Sequence, residues 1–234
     1  MKGGENMKNH KTMAKLFISL IAVLGFIIPQ NVSAEDILVL AEVPSGSATI
    51  TIVIKELTTP GQAPDTGTTR YGVMDFGELT HTLSGGGDAG VWYSQKYFCV
   101  LIYTSSFGQK YEIRSTSPGL VTLTDTLPAG CFGLTPGYVG ADRWDGDNPS
   151  TAQDTDDNPP GTLHPAGPAI TGIGAYRPIY TSEAAASNRI IRAFYSLPSY
   201  GAGGALPFTG YTPILVGQSP GTYVGTVTLT IAPV

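Results

Sequence analysis

Residues 205–231 read ALPFTGYTPILVGQSPGTYVGTVTLTI. The last part of this stretch alternates strictly: Tyr223, Val227, Leu229 and Ile231 share one parity, and Thr226, Thr228 and Thr230 take the other. A period of two, rich in Val, Ile and Thr, predicts a half-buried strand. Pro220 between Ser219 and Gly221 predicts a turn just before it. A chain organised around such a segment has to give it a sheet with one dry face. Because this strand is also nearly the last of the sequence, the expectation is a sheet that lacks its closing strand.

Composition narrows the class. Charged residues are 13% of the 234 positions, about half the usual share, while Gly (30) and Pro (18) are abundant. Many turns and few charges point to an extracellular all-β protein. They argue against a helical enzyme or a nucleic-acid binder.

The N-terminus reads as a secretory leader. Lys2, Lys8, Lys11 and Lys15 form a basic start, residues 16–28 are an apolar run of 13, and Val32-Ser33-Ala34 is a small-residue cleavage site. The run is short for a membrane span. Cleavage after Ala34 removes four Lys and Glu5, so a net charge of −5 becomes −8. A basic surface for nucleic acid or anionic lipid is not expected. The two cysteines, Cys99 and Cys131, both follow this site. In an exported chain the pair is expected to form a disulfide, contributing roughly 3–4 kcal/mol in the chain-entropy picture.

Along the rest of the chain, short strand signals alternate with turns. Residues 37–40 are a continuous apolar run, Ile37-Leu38-Val39-Leu40. After the Pro44-Ser45-Gly46 break, Ala48, Ile50, Ile52 and Ile54 share one face, opposite Thr49, Thr51 and Lys55. Residues 71–83, 91–104, 110–115, 120–127 and 189–197 read as further strands. This spacing predicts a sandwich or barrel. From 128 to 178 the pattern fails, and the density of Gly, Pro and Asp predicts an elaborated surface loop.

Several candidate sites have plainer readings. Gly217-Gln218-Ser219-Pro220-Gly221 matches a hydrolase nucleophile pattern, but that motif needs a helix after it, and an alternating strand signal follows instead. His81 and His164 have no spaced partners for zinc or a catalytic triad and read as surface residues. Asp142, Asp145, Asp147, Asp154, Asp156 and Asp157 could bind calcium, yet EF-hand spacing is absent and a solvated loop is the better reading. Trp92, Tyr93, Tyr97 and Phe98 could line a sugar-binding surface of a self-contained carbohydrate-binding sandwich, or pack a core. No catalytic spacing supports a hydrolase, and no cofactor or metal site is expected.

The chain resembles pilin subunits of archaic chaperone–usher pili and the related spore coat protein U-like domains. The resemblance rests on residues 48–57, on Asp75-Phe76-Gly77-Glu78-Leu79, on 95–119 with Cys99, on 189–196, and most specifically on Leu206-Pro207-Phe208 through Gly221-Thr222-Tyr223 to Ile231. It touches about half of the chain after residue 34. It implies an incomplete immunoglobulin-like β-sandwich (pilin type), to which this chain adds the long loop insertion read from its composition. The domain plan is then a signal peptide at 1–34, an N-terminal donor-strand segment at 35–57, and a pilin-like domain at 58–234 with the insertion at 128–178. The implied function is a non-enzymatic structural subunit, exported through the periplasm to the cell surface. There it polymerises by donor-strand exchange into a fimbria used in adhesion or biofilm formation. The implied partners are neighbouring pilin subunits, a periplasmic chaperone and an outer-membrane usher. Ala48, Ile50, Ile52 and Ile54 would be the donor strand, and Val227, Leu229 and Ile231 the wall of the acceptor groove. The alternative donor is residues 37–43, which would leave 48–57 as the first strand of the subunit's own sandwich.

Overall fold

A computed structural model of the protein describes residues 32–34, 37–42, 50–59, 62, 64–82, 91–104, 109–136, 161–182, 189–197 and 212–234. Residues 1–31 of the leader expected at 1–34, the Asp-rich run 142–157 and Ala48 lie outside them. The described residues belong to one unit. In chain order its strands are β1 (Val32–Ala34), β2 (Ile37–Glu42), β3 (Ile50–Leu57), β4 (Thr68–Arg70), β5 (Val73–Met74), β6 (Gly77–Glu78), β7 (Thr80–Thr82), β8 (Val91–Tyr93), β9 (Tyr97–Thr104) and β10 (Tyr111–Thr116). They continue with β11 (Leu120–Val121), β12 (Gly133–Pro136), β13 (Gly161–Leu163), β14 (Gly167–Pro168), β15 (Arg177–Ser182), β16 (Arg189–Ser196), β17 (Ile214–Leu215), β18 (Gly221–Thr222) and β19 (Val224–Pro233).

Two large sheets make an all-β sandwich. One has the order β14-β12-β16-β9-β3-β4, and the other β13-β15-β10-β19-β2-β5 with β11 also paired to β19. Alternation along each strand sends one parity inward. From the first sheet Ile54, Phe98, Val100, Ile102, Ile191 and Tyr195 enter the core; from the second come Ile37, Val39, Ile113, Val227, Leu229 and Ile231. Buried tyrosines need a partner for the hydroxyl. Tyr195 on β16 meets Ser115 Oγ on β10 at 3.0 Å, and Tyr111 on β10 meets Thr104 Oγ1 on β9 at 3.1 Å, so both ties run between the sheets. Two small three-stranded sheets, β18-β1-β6 and β17-β8-β7, lie apart from the two large ones in strand pairing.

The run expected to be donated lies elsewhere than expected. Ile50, Ile52 and Ile54 belong to β3, an interior strand paired over eight residues with β9, from Ile50↔Thr104 to Leu57↔Tyr97, and with β4 on its other side. Ile54 is in the chain's own core, and Ile50 and Ile52 pack against it. The 35–57 segment is therefore two strands in two different sheets. The same alternation serves a donated strand and an interior one, so the pattern alone could not separate them.

Of the stretch 128–178, the described residues 128–136 and 161–178 are more ordered than the composition suggests. Cys131, Phe132, Leu134 and Ala169 are buried in the core. Phe132 stacks on Tyr195 at 5.6 Å and meets Phe76 edge-on at 6.0 Å. Residues 133–136 extend the first sheet as β12, and residues 161–163 and 167–168 supply β13 and β14 at the sheet margins. Such short strands, with Pro136 and Pro168 toward the edge, carry no readable periodicity.

The expected disulfide is absent: Cys99 and Cys131 are both free and buried. On β9, Phe98, Val100 and Ile102 face the main core. Cys99 points the other way with Tyr97 and Leu101, into a second cluster with Leu57, Ile190 and Phe194. Cys131 is in the main core, so the sheet separates the two sulfurs, and a disulfide needs facing Cβ atoms. Burial drives the Cys99 thiol far above its ordinary value and pushes Cys131 up to about 12. The thiolate is the reactive form. Folded protein treated with iodoacetamide is therefore expected to gain no mass, and denatured protein to gain two adducts without prior reduction. Labelling that requires a reductant would show the bridge instead.

Candidate functional site

The candidate site is the strand position beside β19. Val227, Leu229 and Ile231, the expected groove wall, are buried at 0%, 0% and 1% exposure. The groove they line is filled by the chain's own β2. This strand runs parallel to β19 in the register Ile37↔Gly225, Leu38↔Thr226, Val39↔Val227, Leu40↔Thr228, Ala41↔Leu229, Glu42↔Thr230. Its far edge pairs with β5 over Ile37↔Met74 and Leu38↔Val73, and Val39 N donates to Gly72 O at 2.8 Å. Upstream, β1 pairs parallel with β18 and antiparallel with β6.

Ile37 and Val39 point into the core at 0% and 4% exposure, while Leu38 and Leu40 face outward at 43% and 39%. Burying the first two stabilises the closed slot by roughly 3–6 kcal/mol in gross terms. Gly225 shapes one end of the slot. A Cβ there would lie 2.6 Å from Gly119 O and 2.6 Å from Leu120 Cδ2, so β11 leaves no room for a side chain. Ile37 sits opposite this bare backbone. The continuous apolar run at residues 37–40 marks a strand in the sequence without saying which face is dry.

A polar clasp fixes the entry to β19. Tyr223 OH donates to Ser219 O at 2.7 Å, four residues back. Gln218 Nε2 donates to Tyr223 OH at 2.8 Å and to Asp125 Oδ2 at 2.8 Å, and Ser219 N donates to the same carboxylate oxygen at 3.3 Å. The 217–221 motif is thus a turn between β17 and β18, followed by β19 and not by a helix. The Ser219 side chain above all, then backbone amides and Tyr223, hold the Asp125 carboxyl below its ordinary value of 3.8. A depressed folded pKa contributes stability above the unfolded value, and that contribution is lost as pH falls through the folded value. Asp125→Asn is therefore expected to lower the melting temperature at neutral pH and to converge with wild type in acid below 3.8. Melting curves across that range check it; a difference independent of pH would contradict it.

The other candidate residues do not converge. Tyr97 and Phe98 are buried on opposite faces of β9, so the four aromatics form no shared platform. His81 is partly buried, with its ring 4.9 Å from the Trp92 ring in the β7–β8 pair. His164 Nε2 lies 2.9 Å from Thr181 Oγ1 and 3.9 Å from Glu112 Oε2. Among the described residues no group of three or more His, Cys, Asp or Glu is placed to hold a metal ion, and no helix is long and apolar enough to cross a membrane. No protein-family model matches this chain, and no curated protein is similar enough to match it.

Proposed function

We propose that this protein is an exported, non-enzymatic structural subunit that assembles with copies of itself by exchanging strands, forming a pilus-like surface filament for adhesion or biofilm formation. The observation that carries the reading is the strand order around the slot. An immunoglobulin-type sandwich has strands A, B, E and D in one sheet and C, F and G in the other. Here β3, β9, β10, β12, β16 and β19 follow one another in the chain as A to F do. They sit as β3-β9-β16-β12 in one sheet and β10-β19 in the other. The Tyr223 hydroxyl reaching back to Ser219 O just before β19 has the form of the tyrosine corner that opens strand F.

The place beside F that belongs to G is then taken by β2. This strand comes from upstream of A and runs parallel to F. A strand in that position is an added piece, of the kind one chain can lend another. Head-to-tail lending gives an open filament. On this reading a periplasmic chaperone fills the slot before assembly and an outer-membrane usher exports the product. Bacteria expressing the full chain with its neighbouring export genes should carry filaments by negative-stain microscopy, and a Val39→Asp chain should carry none. Unaltered filaments from that variant would refute the proposal.

A further inference from the structure

We infer that the outer face of the second large sheet holds a binding site for a sugar that carries a carboxylate, and that Arg114 is the group that recognises it. The inference does not rest on strand exchange, because the site is complete within one chain.

Alternation sends Ile113, Leu229 and Ile231 into the core, so the residues between them on β10 and β19 face outward. There Arg114 stands opposite Thr230, and Thr116 opposite Thr228. The Arg114 guanidinium is held on one edge and one face. Its Nε donates to Glu112 Oε1 at 2.6 Å, and its Cζ stands 4.2 Å from the centre of the half-exposed Tyr176 ring. Glu112 is held in turn. Thr181 Oγ1 donates to Glu112 Oε2 at 3.3 Å, and His164 Nε2 lies 2.9 Å from the same hydroxyl. A threonine hydroxyl has one proton, here given to Glu112, so His164 Nε2 is the donor to it. This chain of donors ends at the carboxylate and keeps it aimed at Arg114.

The arrangement leaves open the Nη1/Nη2 edge, whose two parallel donors fit a carboxylate. Neither terminal nitrogen hydrogen-bonds to a described residue. Arg70 shows the contrast. It brings both Nε and Nη2 onto Glu56 Oε2, at 2.8 and 2.7 Å, as a guanidinium does when its task is an ion pair. One free fork beside a group of hydroxyls suits an acidic sugar. The fork takes the carboxylate, Thr116, Thr228 and Thr230 meet the sugar hydroxyls, and the exposed part of the Tyr176 ring covers its C–H groups. A polyanion needs a row of cations, whereas Arg114 stands beside Glu112. An extended peptide needs a free sheet edge, whereas β10 lies between β15 and β19.

The test titrates the full chain by calorimetry with trigalacturonate, with N-acetylneuraminate and with the methyl ester of each. The expected result is saturable binding of at least one acid and none of its ester; binding of only one acid identifies the sugar. Arg114→Lys keeps the charge and loses the fork. It should weaken binding about tenfold, the worth of one charge-assisted hydrogen bond, at an unchanged melting temperature. The comparison of acid with ester uses the unaltered protein, so it decides the matter even where the variant does not fold. No saturable binding of either acid, equal binding of acid and ester, or full affinity in Arg114→Lys would each overturn the inference. Tighter binding of a triglutamate peptide than of either sugar acid would overturn it as well.

Discussion

Val39→Asp should destabilise the folded chain by about 3–5 kcal/mol, the cost of an uncompensated charge in an apolar interior. Val39 is almost fully buried, registers with Val227 across β2 and β19, and belongs to the main hydrophobic cluster. Leu38→Asp, one residue away on the exposed face, should cost no more than about 0.5 kcal/mol. Urea denaturation of the two variants checks the contrast. Equal effects would mean that β2 has no dry face and that the slot is not a core position. The chain truncated at the same side chain, Val39→Ala, should fall between them at about 2 kcal/mol.

Phe132→Ala should be comparably damaging, at about 3–5 kcal/mol, with a fall in melting temperature of about 10 °C. Phe132 is fully buried, stacked on Tyr195 and edge-on to Phe76, so truncation leaves a cavity bounded by two large rings with little freedom to collapse. Its backbone also holds the neighbouring segment: Ala169 N donates to Phe132 O at 2.7 Å. Thermal melting of the variant decides the matter. A change within about 0.5 kcal/mol, the usual range for surface substitutions, would return residues 128–136 to the status of a surface loop.

The long alternating strands were legible because each has one dry face. Tyr111–Thr116 alternates buried and half-buried residue by residue, and Val227, Leu229 and Ile231 keep their parity into the core. Legibility failed where both faces of a strand are apolar. Tyr97–Thr104 is buried on both sides, so nothing in its sequence says that Cys99 faces away from Cys131. A different ambiguity surrounds Ile37–Glu42 and Ile50–Leu57, because a strand pattern does not say whether the strand is lent or kept. Each run makes a good strand, and only the eight-residue pairing with β9 assigns the second to the subunit's own sheet. Residues 128–136 were hidden for another reason: strands of two to four residues are shorter than any period they could display. The clasp at Asp125 joins residues more than ninety positions apart, and a lone Asp in a turn gives no local hint of it.

On the proposed reading β2 is a separable strand that completes a sandwich assembled by the rest of the chain. The most direct measurement deletes Ile37–Glu42 and adds back a synthetic peptide of residues 35–43. The shortened chain should lose most of its stability, and the peptide should restore the melting temperature saturably, as any ligand of the folded state does. A shortened chain that folds to full stability alone, or one that the peptide never rescues while the intact chain folds normally, would contradict the account.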